Sequence, residues 1–120
     1  MIVDLVRNDL SKIACKGSVT VTELASLYSF KNVHQLISSV EAEIKESTKF
    51  SEILKSSFPM GSMTGAPKIK SMELIDEFEK TQRGIYSGSI GYISPSKNFD
   101  FNVVIRSIIY DSDNNTLNIN

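Results

Sequence analysis

The chain has 120 residues, with 13 Lys and Arg against 14 Asp and Glu, 41% hydrophobic residues, one Cys, one His and no Trp; the formal net charge of -1 gives no electrostatic footprint for nucleic acid or an anionic membrane. The lone Cys15 cannot form an internal disulfide, and one Cys with one His cannot complete a structural zinc site, so any metal would be a hard, oxygen-bound one. No apolar run approaches a membrane span and no basic segment precedes an apolar one, which leaves one domain of ordinary size in a reducing cytoplasm as the expectation.

Ile2, Leu5, Val6, Asp9 and Leu10 recur at spacings of three and four and predict a helix that begins with no capping residue in front of it. Lys16-Gly17-Ser18 signals a turn, Val19 to Thr22 a short strand, and Glu23 to Tyr28 a helical turn. Val33 to Ile44 alternates, with His34, Leu36, Ser38, Val40, Ala42 and Ile44 on the more apolar face of a half-buried strand. Phe50 to Phe58 reads as a short helix ended by Pro59. Gly61 to Pro67 reads as a loop of small residues, and Pro67 suits the first position of a helix running to about Glu79, with Ile69, Met72, Ile75 and Phe78 on one face. Two apolar alternating runs, Ile85 to Ile93 and Phe99 to Tyr110, flank Ser94 to Asn98 as a hairpin with a five-residue loop. Asp111 to Asn115 is a polar turn into a last strand from Thr116 to Asn120. Antiparallel strands interrupted by helices, without regular alternation, predict the α+β class. The uncapped start and the alternating end predict that residues 1–120 are an interior piece of a longer protein.

Several residues carry chemistry in this pattern. Arg106 lies in the dense run Val103 to Ile109, which reads as a strand buried on both faces, and a buried guanidinium requires an anion. That anion is either an internal carboxylate or the carboxylate or phosphate of a ligand. Symmetrical closure of the five-residue loop places Tyr86 opposite Arg106, with Gly88 leaving room beside them for a small anionic ring compound. Gly61-Ser62-Met63-Thr64-Gly65 offers hydroxyls and backbone N–H groups ahead of a helix, for capping or for an anion. Ala66-Pro67 stands where a phosphate loop needs Gly-Lys, which excludes that motif. His34 is either a satisfied histidine of its strand face or the one near-neutral proton carrier. Asp111 to Asn115 lacks the glycine of a calcium loop and reads as a turn.

Taken together, Met1 to Asp9, Val33-His34-Gln35-Leu36, Phe58 to Lys68, Met72 to Ile75 and Arg83 to Tyr92 resemble, in order, the chorismate-utilising enzyme family. Gly61-Ser62-Met63-Thr64-Gly65 is most similar to the aminodeoxychorismate synthase component I branch; the anthranilate synthases more often carry Gly-Thr-x-Ser-Gly, and the isochorismate and salicylate synthases are further relatives. The resemblance implies an interior piece of one α+β chorismate-binding catalytic domain, truncated at both ends. By the same resemblance that domain is expected, in the full-length protein, to be a transferase making 4-amino-4-deoxychorismate, on the way to 4-aminobenzoate and folate, from chorismate and ammonia supplied by a glutamine amidotransferase subunit. It implies that Tyr86 and Arg106 bind a chorismate carboxylate, that Ser62 lines the pocket, and that His34 is catalytic, near the ring carbon where hydroxyl leaves and amine enters. The nucleophilic lysine of the branch and the Mg2+ ligands fall outside this chain by the same resemblance. Within the family the alternative is an anthranilate synthase component I or an isochorismate or salicylate synthase, and a non-catalytic binding module reusing part of the fold is the alternative of another class.

Overall fold

The computed structural model describes residues 1–119, and its chain falls into two compact units, Met1–Glu77 and a second beginning at Phe78. Helices and small antiparallel sheets make it an α+β structure. Among the described residues no helix is long and apolar enough to cross a membrane.

The first unit opens with α1 (Ile2–Ser11), the helix its periodicity predicts. Its inward face holds Leu5, the one buried apolar side chain among the described residues, and Asp9, 5% exposed. Next come β1 (Thr20–Ser29) and β2 (His34–Glu41), an antiparallel pair running from Thr20↔Glu41 to Ser29↔His34. The helical turn expected over Glu23 to Tyr28 is instead the second half of β1. Pairing with β2 overrides the local helix preference of Glu23-Leu24-Ala25. The register shifts either side of Glu23 absorb the mismatch, with Ala25 at φ 50° and its N–H donating to Ser38 Oγ at 2.9 Å. The expected burial of the His34 face is not met at its start: Leu36 is 63% exposed, whereas Ile37 and Ser39 of the opposite face are half-buried. Ile44 lies beyond the strand in an isolated bridge to Ala14, where Cys15 N–H donates to the Glu43 carbonyl at 2.7 Å.

Then α2 (Phe50–Ser57) starts where Lys49 N–H donates to the Glu52 carboxylate at 2.9 Å and ends ahead of Pro59. Gly61 to Thr64, expected as loop, is the short turn α3 (Gly61–Thr64). Pro67 stands just before α4 (Lys68–Phe78), its carbonyl accepting from Ser71 N–H at 3.0 Å, one position earlier than predicted. Helix α1 packs on α2, α3 and β2.

The second unit is built from two ribbons, β3 (Ser89–Ile93) with β4 (Phe99–Val103), and β5 (Ile108–Asp111) with β6 (Thr116–Ile119). The first has the register predicted from its loop, Ser89↔Val103 through Ile93↔Phe99, closed by Ser94 N–H donating to the Asn98 carbonyl at 2.7 Å. Gly91 faces Phe101 so closely that an added Cβ would overlap the Asp100 carbonyl oxygen and sit 2.7 Å from Phe101 Cα. The second ribbon turns at Asp111 to Asn115 as expected; the predicted end of its last strand, Asn120, lies outside the described residues. The long run Phe99 to Tyr110 is therefore two strands, and the segment between them carries Arg106 at φ 51°.

Gly91→Ala is expected to pry β3 from β4 and destabilise the ribbon by about 1–3 kcal/mol, seen as lost hydrogen-exchange protection at the paired amides; full protection would refute the contact. A second expectation concerns pH. Asp111 accepts from the Asn114 side-chain amide at 2.8 Å and from the N–H groups of Asn114 (3.3 Å) and Asp113 (2.9 Å), which hold its carboxyl below the ordinary 3.8. Because the folded value is the lower one, the stabilisation is complete above 3.8 and is lost as pH falls through the folded value. Amide shifts of Asp113 and Asn114 should follow this titration with a midpoint below 3.8, and a midpoint at or above 3.8 would refute the hydrogen-bonded turn.

Candidate functional site

His34 and Ser62 belong to the first unit, Tyr86 and Arg106 to the second. His34 opens β2 immediately after the turn in which Phe30 N–H donates to the Val33 carbonyl at 2.9 Å. Its imidazole is exposed, and Nδ1 lies 3.0 Å from the Ser29 hydroxyl on the paired strand. This contact ties the ring to β1 through Nδ1. The reading of His34 as a buried residue of an apolar face is excluded by this exposure.

Ser62 sits on α3, whose four residues wrap the Met60 carbonyl: Met63 N–H (2.9 Å), Thr64 N–H (3.2 Å) and the Thr64 hydroxyl (3.3 Å) all donate to it. Thr64 thus bonds inward, while Ser62 is exposed. The capping expected of Ser62 or Thr64 concerns the following helix, and the Thr64 hydroxyl donates instead to the Met60 and Gly65 carbonyls. Gly61 has no room for a Cβ, which would collide with Leu5 Cδ2 on α1. Two residues that sequence reasoning passed over hold this segment. Asp9 forms ion pairs with Lys68 and, at 2.9 Å, with Lys12. The signal for Asp9 was its place on the apolar face of α1, where an unpaired carboxylate is untenable.

Tyr86 is half-buried in a turn, its N–H donating to the Arg83 carbonyl at 3.1 Å. The β3–β4 ladder does not continue to it. Ser87 N–H donates to the Val104 carbonyl (2.9 Å) and Val104 N–H to the Gly88 carbonyl (3.0 Å), so two residues oppose one and the alternation slips. The simple register that set Tyr86 opposite Arg106 is therefore corrected. Gly88 leaves no free space either, since a Cβ there would lie 2.7 Å from the Ile85 carbonyl oxygen of its own turn.

Tyr86 lines a groove of about 640 Å³ with Arg83, Glu79, Ile109 and Asp111. Arg83 Nε donates to Glu79 at 2.7 Å and a second guanidinium nitrogen completes a bidentate pair, which raises the Arg83 pKa and lowers that of Glu79. With Glu79 and Asp111 beside one guanidinium, this groove carries no excess positive charge. Arg106 is outside it and exposed, contrary to the burial read from its apolar neighbours, because the left-handed residue turns the chain out of β4 before β5 begins. Of the three arginines, Arg7 pairs with Asp4 and Arg83 with Glu79, while Arg106 has no acidic partner among the described residues. Its guanidinium is available to an external carboxylate, which is the ligand reading without the burial argument. Among the described residues no group of three or more His, Cys, Asp or Glu side chains stands together as a candidate metal site.

All of residues 1–120 match the profile of the chorismate binding enzyme family. The chain is 48% identical over 109 residues to the probable chloroplastic aminodeoxychorismate synthase of Oryza sativa subsp. japonica, covering 91% of this chain and 12% of that protein. It is 46% identical over 108 residues to the aminodeoxychorismate synthase component 1 of Escherichia coli K12, covering 90% and 24%. Among solved structures, anthranilate synthase component I from Streptococcus pneumoniae TIGR4 superimposes with a TM-score of 0.80 at 38% identity, over 90% of this chain and 25% of that one. The chain thus spans a quarter or less of the length of each. With the match running the full length of the chain and the backbone of a solved relative following it, this polypeptide belongs to the chorismate binding enzymes.

Proposed function

We propose that residues 1–120 are an interior piece of the catalytic domain of an aminodeoxychorismate synthase component I. The reaction replaces the ring hydroxyl of chorismate with ammonia, releasing water and giving 4-amino-4-deoxychorismate for 4-aminobenzoate and folate synthesis. The observation that carries this reading is the higher identity to aminodeoxychorismate synthases than to the anthranilate synthase component 1 of Aquifex aeolicus, 48% and 46% against 41% over closely similar lengths. The designation component 1 of the Escherichia coli relative accords with a second component, here a glutamine amidotransferase that supplies the ammonia. The cytoplasm is the proposed compartment.

Each residue has a task that its chemistry supports. Arg106, a cation with no acidic partner among the described residues, clamps a chorismate carboxylate, and Tyr86 offers its hydroxyl to the substrate as the family resemblance implies. Ser62 presents its exposed hydroxyl to the substrate. His34, held through Nδ1, donates a proton from Nε2 to the departing hydroxyl so that it leaves as water, and afterwards accepts the proton released when nitrogen bonds to carbon. A magnesium ion in the full-length enzyme would be held by carboxylates of other segments, as the family resemblance implies, and none of these steps runs through it.

In the full-length enzyme, Arg106→Ala should lower kcat/KM for chorismate roughly 10- to 100-fold, the size of a lost charge-assisted bond, and Tyr86→Phe by roughly 10-fold or less. His34→Gln should lower kcat roughly 100-fold or more with little change in KM. Unchanged steady-state constants in these variants would refute the roles. Product analysis tests the branch: 4-amino-4-deoxychorismate is expected from chorismate and ammonium, and release of anthranilate would overturn the proposal.

A further inference from the structure

The most deeply buried charge among the described residues has no part in the steps above. The Asp9 side chain is 6% exposed and that of Lys68 13%, and their ion pair joins residues 59 apart in sequence. Leu5, one helical turn before Asp9 on the same face of α1, is in contact with Gly61. The segment from Gly61 to Lys68 is therefore fastened to one helix face at both ends, by close packing at Gly61 and by charge at Lys68. Between these fastenings lie Ser62 and Gly65, the latter at φ 113°. An apolar cavity of about 140 Å³, bordered by Val6, Asp9, Leu10, Met60 and Gly61, adjoins the seam. The ion pair is thus a polar tie between the segment's far end and α1, beside that cavity.

From this we infer that Asp9 and Lys68 are positioning residues that set the placement of the α3 turn and, through it, the Ser62 hydroxyl, so that they govern chorismate affinity as well as fold stability. The inference rests on the reading of Ser62 as a substrate-lining residue. A purely structural ion pair and a positioning pair differ in one respect. Replacing both members with neutral groups of similar size relieves the buried unpaired charge, but it does not restore a directional tie.

The test is steady-state kinetics and thermal melting of the full-length enzyme carrying Lys68→Met, Asp9→Asn, the two together, Lys68→Arg, Ser62→Ala, and Ser62→Ala with Lys68→Met. Lys68→Met is expected to raise KM for chorismate roughly 10-fold or more with a smaller change in kcat, and Lys68→Arg to recover most of the loss. The double variant Asp9→Asn with Lys68→Met is expected to regain melting temperature without regaining KM. In the Ser62→Ala background, Lys68→Met should add little, since both act on one contact. Recovery of KM together with melting temperature, or full additivity of Ser62→Ala and Lys68→Met, overturns the positioning role while leaving Ser62 as a substrate contact. An unchanged KM in Ser62→Ala removes that contact and the positioning role together. Should Lys68→Met fail to fold, the near-isosteric Asp9→Asn carries the same comparison.

Discussion

Burying the Asp9 carboxylate is the constraint around which the first unit is organised. A lone carboxylate in an apolar seam is too costly to persist, so helix α1 can fold its inward face only where cations reach that position. Lys12 comes from the next turn of the chain, but Lys68 comes from the far side of two strands and two helices. Satisfying one charge therefore selects a tertiary arrangement. Breaking such a pair from one side typically costs about 3–5 kcal/mol, a large part of the stability of a small domain. Among the described residues Leu5 is the only apolar side chain buried as deeply, so packing alone offers little to replace it.

The second unit depends on backbone geometry more than on charge. Ser87 and Arg106 both take positive φ, at 67° and 51°, close to the point where the β3–β4 ladder stops at Val104. The two-against-one pairing of Ser87 and Gly88 with Val104 bends the ribbon and changes which residues share a face. Tyr86 then lies in a turn beside Arg83, whose guanidinium is occupied by Glu79, and Arg106 is carried outward. The groove and the available cation of this unit are thus distinct features, one neutralised from within and the other open to a ligand.

What could be read from the residues alone follows the same physics. Helices α1, α2 and α4 were legible because their apolar residues repeat with helical spacing, and the β3–β4 register because a five-residue loop between alternating runs leaves one symmetrical pairing. The second half of β1 was not, since Glu23-Leu24-Ala25 prefers helix until β2 is laid beside it. The burial of Arg106 was inferred from the density of Val103 to Ile109, but density does not reveal a left-handed residue that ends one strand and begins another. As for the site, the resemblance named His34, Ser62, Tyr86 and Arg106, whereas local geometry alone would have paired Tyr86 with Arg106 through a ladder that stops short of them. Asp9 and Lys68 stood inside quoted motifs without a role, because no spacing rule links residues that meet only after the chain has folded.

Each sheet described here has two strands, so every strand has one side whose backbone donors and acceptors face no neighbour in its own sheet. In β5 and β6 the outward side chains include Ile108, Tyr110, Leu117 and Ile119, all more than half exposed. A formal charge of -1 supplies almost no long-range repulsion between copies. An edge of this kind can accept a further strand by backbone pairing, and the apolar side chains beside it supply surface for that strand to bury.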